Sequence, residues 1–85
     1  MEITYNQAKK RDQETFIKNM VHLREIKGWT QEEMAIKIHQ RMKTKFNRST
    51  YASWEERRAF PPVTMCRIVS EIFHADLTEM LTIRL

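Results

Sequence analysis

The segment Asn47-Arg48-Ser49-Thr50-Tyr51-Ala52-Ser53-Trp54-Glu55 carries side chains suited to reading the edges of nucleic-acid bases. The planar guanidinium of Arg48 donates two parallel hydrogen bonds, which match O6 and N7 of guanine and equally the oxygens of a phosphate. Ser49 and Ser53 can each donate or accept, and Ala52 offers a methyl surface for the thymine methyl. Tyr51 and Trp54, at i and i+3, are expected to point inward. That leaves Arg48, Ser49, Ala52 and Ser53 on the other faces of a helix. Asn47 has the side chain expected of its N-cap, an oxygen that accepts from the unpaired N–H groups of the first turn. Both readings of Arg48, base edge and phosphate, stand at this point.

The surroundings are basic. Lys37 to Arg58 holds seven Lys and Arg (Lys37, Arg41, Lys43, Lys45, Arg48, Arg57, Arg58) against Glu55 and Glu56, a net +5. The rest of the chain carries eight against nine, so the whole excess behind the net +4 lies in this one stretch. Such an excess is the footprint expected of phosphate binding, while a charge run can also be a solvated face. Arg41, Lys43 and Lys45 could meet phosphate near the start of the reading helix. Arg57 and Arg58 either grip phosphate after its end or sit in a solvated turn.

These groups need elements to position them, and the pattern throughout is helical. Phe16, Met20 and Leu23 recur at helical spacing beside Ile17 and Val21, predicting a first helix from Asp12 to Lys27. Gly28 supplies a left-handed stop. Trp29 is expected as a core anchor. Thr30 and Glu33 form a capping box for a second helix, with Met34, Ala35 and Ile38 inward. Pro61-Pro62 ends the third helix region. Val63, Cys66, Val69, Ile72 and Phe73 make the stripe of a fourth helix, and Asp76 with Glu79 opens a short fifth containing Leu77, Met80 and Leu81. The expected fold class is all-α, one compact five-helix bundle over residues 12–85. Residues 1–11 are polar and end in Lys9-Lys10-Arg11. They are expected as a flexible basic arm or a frayed helix start, and a basic arm could also reach a minor groove.

The order of Leu23-Arg24, Gly28-Trp29-Thr30-Gln31-Glu32-Glu33-Met34-Ala35, Trp54-Glu55, Pro61-Pro62 and Phe73-His74-Ala75-Asp76-Leu77 resembles the phage-repressor and Cro-like helix-turn-helix family, the lambda-repressor-like DNA-binding domains. The resemblance covers most of the chain. It implies that the third helix enters the major groove of double-stranded DNA, with Arg48, Ser49 and Ser53 at base-reading positions. It implies a phosphate contact from Gln31 at the start of helix two, and an ion pair between Arg24 and Glu55 that orients the third helix. It implies a sequence-specific transcriptional regulator of bacterial or phage type, repressor-like, acting in the cytoplasm as a homodimer on a pseudo-palindromic operator. The alternative is a protein-interaction module, such as an antitoxin or adaptor, that keeps the helix-turn-helix fold. One departure stands out. Lys45 falls where the family's turn commonly has glycine, and Phe46 at its apolar turn position. His39 to Thr44 are then about six extra residues, so either helix two runs on to Lys43 or the turn is an enlarged basic loop; chain-closure entropy permits both.

Other chemistries lack their residues. His22, His39 and His74 are scattered without metal-ligand spacing, so no metal or other cofactor is expected. No nucleophile motif or glycine-rich phosphate loop occurs, and an enzyme is not expected. Cys66 is the only cysteine, which excludes an internal disulfide, fits a reducing cytosol and suits a packed core position. No apolar run approaches the roughly 20 residues needed to span a bilayer, and the first residues lack the pattern of a secretory signal. With 85 residues the bundle has a thin stability margin. Dimerisation would widen it, and helix five with Ile83 and Leu85 is the expected surface.

Overall fold

Thr4 caps the first helix. Its hydroxyl accepts from the Gln7 N–H at 3.1 Å, and the Gln7 side chain accepts from the Thr4 N–H at 2.9 Å. This reciprocal box starts α1 (Tyr5–Lys27) two turns before the expected Asp12. In the computed structural model, which describes residues 2–85, the basic arm expected over residues 1–11 is therefore corrected. Residues 5–11 are helical and continuous with the core helix; Met1 lies outside the described residues. The physical reason is the cap together with a run of residues that lose little freedom in a helix. Gly28 ends α1 in the left-handed conformation, φ 72°, as its position predicts.

The remaining helices are α2 (Gln31–Met42), α3 (Arg48–Glu55), α4 (Val63–Ile72) and α5 (Leu77–Thr82). The architecture is all-helical, with no strand among the described residues. Thr30 and Glu33 form the expected capping box of α2, and Asp76 accepts from the Glu79 N–H at the start of α5. α1 packs chiefly on α5, and α2 on α3 and α4. Phe16, Met20, Met34, Ile38, Tyr51, Trp54, Val69 and Met80 close the core. No helix is long and apolar enough to cross a membrane, among the described residues.

The extra residues between α2 and α3 divide into two parts. His39 to Met42 add a turn to α2, and Lys43 ends it with a left-handed backbone, φ 59°. The left-handed position is thus Lys43 and not Lys45. The chain then runs without regular structure to Asn47, and the Phe46 N–H donates to His39 Nδ1 at 3.3 Å. Phe46 packs against Trp54, their ring centroids 5.3 Å apart. This apolar contact fixes the connection where glycine would otherwise have tightened it.

One further core residue differs from expectation, and another carries no expectation from the sequence. Val63 is 74% exposed, because it follows Pro62 at the very start of α4, beyond the end of the packed stripe. Asn19 is buried within the otherwise apolar inner side of α1. Its amide donates to the carbonyls of Met80 (3.0 Å) and Ile83 (2.7 Å), and its oxygen accepts from the Leu85 N–H (2.9 Å). One polar side chain thereby satisfies three backbone groups in and after α5, as burial requires. Trp29 is half-buried and stacks on Phe73 at 5.6 Å, with the Lys37 ammonium 4.3 Å above its ring.

Candidate nucleic-acid interface

Asn47 holds the start of α3. Its Oδ1 accepts from the Thr50 N–H at 3.0 Å and from the Thr50 hydroxyl at 3.2 Å. Tyr51, Ala52 and Trp54 turn inward, so Arg48, Ser49 and Thr50 stand exposed at the N-terminal end of the helix. Ser53 is half-buried, and its hydroxyl donates back to the Thr50 carbonyl at 2.6 Å. Ala52 is only 7% exposed, which removes the thymine-methyl contact expected of it. A helix of eight residues wedged into a bundle needs about half its circumference for packing, and Ala52 falls on the packed half.

Lys45, Asn47, Arg48 and Ser49 line one open groove together with Glu32, Ile36 and His39 of α2. The sequence motifs assign none of the last three to the site, although Glu32 falls within the Gly28–Ala35 stretch that carries the resemblance. They recur at i, i+4 and i+7, on the side of α2 opposite Met34 and Ile38, and that spacing is the signal that could have found them. Thr50 is a further exposed polar residue of α3 that the base-reading pattern leaves out, although it follows Ser49 on the open side. The groove carries two fixed positive charges, Lys45 and Arg48, against the single carboxylate of Glu32. It stays attractive to an anion.

The orientation of α3 is set from beneath by Glu55. Arg24 donates to it twice, Nε to Oε2 at 2.7 Å and Nη2 to Oε1 at 3.1 Å, and donates Nη1 to the Trp29 carbonyl at 2.8 Å. The Tyr51 hydroxyl donates to Oε2 at 2.5 Å and the Gln31 amide to Oε1 at 2.8 Å. The Arg24–Glu55 pair implied by the resemblance is present in the structure, with both side chains largely buried at 14% and 9% exposure. Burial alone pushes the Glu55 carboxyl upward. The hydrogen bonds from Arg24, Tyr51 and Gln31 and the Arg24 charge outweigh it and hold Glu55 below the ordinary carboxylate range. Burial, then the bond to Glu55, raises the Tyr51 phenol, which stays a neutral donor.

The other basic residues separate. Gln31 directs its amide to Glu55 rather than outward. Arg41 faces α4, 3.6 Å from Glu71, and lines a different hollow, with Trp29 and His74. Lys43 is exposed at the end of α2 and lies outside the groove of Arg48. Arg57 has a left-handed backbone and donates to both oxygens of Glu14, at 3.1 and 2.8 Å. These bonds hold the Glu14 carboxyl below its ordinary value. Arg58 pairs with Glu56 at 2.8 Å in the open. Cys66 is buried, donates to the Pro61 carbonyl at 3.4 Å and has its thiol pushed up to about 12 by burial, the state of a packing residue.

No family model, curated protein or solved structure matches the chain.

Proposed function

We propose that this protein is a sequence-specific DNA-binding transcriptional regulator, built as a helix-turn-helix of the phage-repressor type, in which α2 positions and α3 reads. The observation that carries this reading is the exposed Arg48–Ser49 end of α3, held rigidly from below by the Arg24–Glu55–Gln31–Tyr51 cluster. A helix presented this way enters the major groove N-terminal end first. Arg48 then addresses guanine, with Ser49 and Thr50 beside it, while Lys45 meets the flanking phosphates. Two copies on a pseudo-palindrome read half-sites about one helical turn apart.

Selection of bound duplexes from a random pool, followed by fluorescence anisotropy at several salt concentrations, tests the reading. A recovered consensus bound at least about 10³-fold more tightly than random duplex supports it. Equal affinity for all duplexes removes sequence specificity. Loss of any salt-dependent binding favours instead a protein-interaction module, for which Ile36, 48% exposed in the same groove, would be the apolar contact.

A further inference from the structure

The inward stripe of α1 outruns the bundle. Phe16, Asp12, Ala8 and Tyr5 recur at three- and four-residue spacing, on one side of the helix. Phe16 is fully buried, Asp12 and Ala8 are half-buried, and Tyr5 is 78% exposed. Across from them the start of α4 leaves Val63 at 74%; these two are the most exposed large apolar side chains among the described residues. Together with Leu81 of α5 they bound an open groove whose only fixed charges are Lys9 and Asp12. Exposed apolar side chains gathered this way mark an association surface, and tyrosine is prominent among the residues that anchor such surfaces.

The charges say what fits. The groove is neutral, so it offers nothing to a phosphate backbone; the neighbouring Lys10 and Arg11 line a different groove, with Arg57 and Arg58. Lys9 and Asp12 are three residues apart on one helix side, and among the described residues neither forms an ion pair within the chain. When two such helices pack antiparallel about a two-fold axis level with the midpoint between Lys9 and Asp12, Lys9 of each faces the partner's Asp12. The surface is complementary to itself, which is the requirement of an isologous interface. Ala8 of each then faces the partner's Gln13, where its small side chain leaves room.

Building on the two-fold mode proposed above, we propose that this groove is the self-association face of the protein. It is filled by Tyr5 and Val63 of a second copy, with Lys9 of each chain paired to the partner's Asp12. The surface takes in Leu81 of α5 but centres on α1 and leaves out the Ile83–Leu85 end, so it overlaps only in part the face expected from the sequence.

Sedimentation velocity of the full chain over a concentration series, without DNA, tests it. The expected result is a reversible dimer. Lys9→Asp sets like charges opposite each other and should weaken it at least about tenfold, as should Asp12→Lys. The double variant Lys9→Asp/Asp12→Lys should recover the dimer, a result that loss of helix could not produce. Tyr5→Ser and Val63→Ser, at exposed positions, should each weaken it with an unchanged circular dichroism spectrum. A chain that stays monomeric, or a dimer indifferent to all of these changes, overturns the proposal. Because no DNA is present, the dimer can stand where sequence-specific binding fails. Conversely, retained binding of a single half-site by a chain that never dimerises would leave only the DNA reading.

Discussion

The Gln31 amide donates to Glu55 Oε1 at 2.8 Å, which ties the first turn of α2 to the last turn of α3. The angle between these helices is therefore fixed at the end remote from their connection. This explains how the segment from Lys43 to Asn47 can be longer than a tight turn without loosening the pair. The Arg24 guanidinium joins α1 to the same carboxylate, so one side chain sets the relative placement of three helices.

Removing Arg24 should accordingly be the most damaging single change at the pair. Arg24→Ala leaves Glu55 with an uncompensated, largely buried charge and should lower unfolding free energy by about 3–5 kcal/mol. Gln31→Ala removes one neutral donor and should cost about 1 kcal/mol. Urea denaturation of the two variants measures the contrast; equal effects would mean that the ion pair adds nothing beyond an ordinary hydrogen bond.

The same cluster predicts acid sensitivity. Glu55 titrates below its ordinary value of 4.5 in the folded protein. The unfolded chain therefore binds the proton first as pH falls. The stabilisation is fully present above the unfolded value and is lost as pH drops through the depressed folded value. Glu55→Gln should be less stable at neutral pH and show a shallower loss below about pH 4.5. Thermal melts from neutral to strongly acidic pH check the slope.

Arg48 and Lys45 line one groove but should behave differently on DNA. Arg48→Ala should weaken the preferred site by about 1–3 kcal/mol and relax choice at one base pair. Lys45→Ala should weaken all duplexes evenly and reduce the slope of log affinity against log salt by about 1. Arg41→Ala, on the α4 side, should change neither quantity. Anisotropy titrations on matched and single-substituted sites separate the three.

Lys43 bears a backbone strain that glycine would relieve. A side chain in the left-handed region costs about 1–2 kcal/mol, so Lys43→Gly should stabilise the fold by about 1 kcal/mol once glycine's greater unfolded freedom is set against it. For a domain of this size that is a rise of about 4–8 °C in Tm. Differential scanning calorimetry gives the value, and an unchanged or lower Tm would show that the strain is relieved within the loop.

Local chemistry makes much of this fold legible. Thr30 with Glu33, Asn47, and Asp76 with Glu79 act within four residues of themselves, and the helices they open begin where sequence spacing puts them. Thr4 with Gln7 is the same kind of signal, but behind it only Tyr5 and Ala8 continue the stripe before the polar Asp12, too little apolar spacing to announce a helix. Ala52 is ambiguous because an alanine carries no sign of its face; only the packing of Tyr51 and Trp54 decides it. Asn19 is beyond any reading of sequence. Its partners lie more than 60 residues away and are backbone groups, which leave no trace in residue type. The Arg24–Glu55 pair is legible through the family resemblance, while Gln31 and Tyr51 complete it through contacts that only the packed helices create.

The three bonds of Asn19 also determine where the end of the chain goes. After α5 the backbone is laid back along the middle of α1, on the flank carrying Phe16 rather than the flank that meets Arg57. A fluorophore joined beyond Leu85 would therefore start beside Asn19 of α1, and its own motion would report whether that fastening holds.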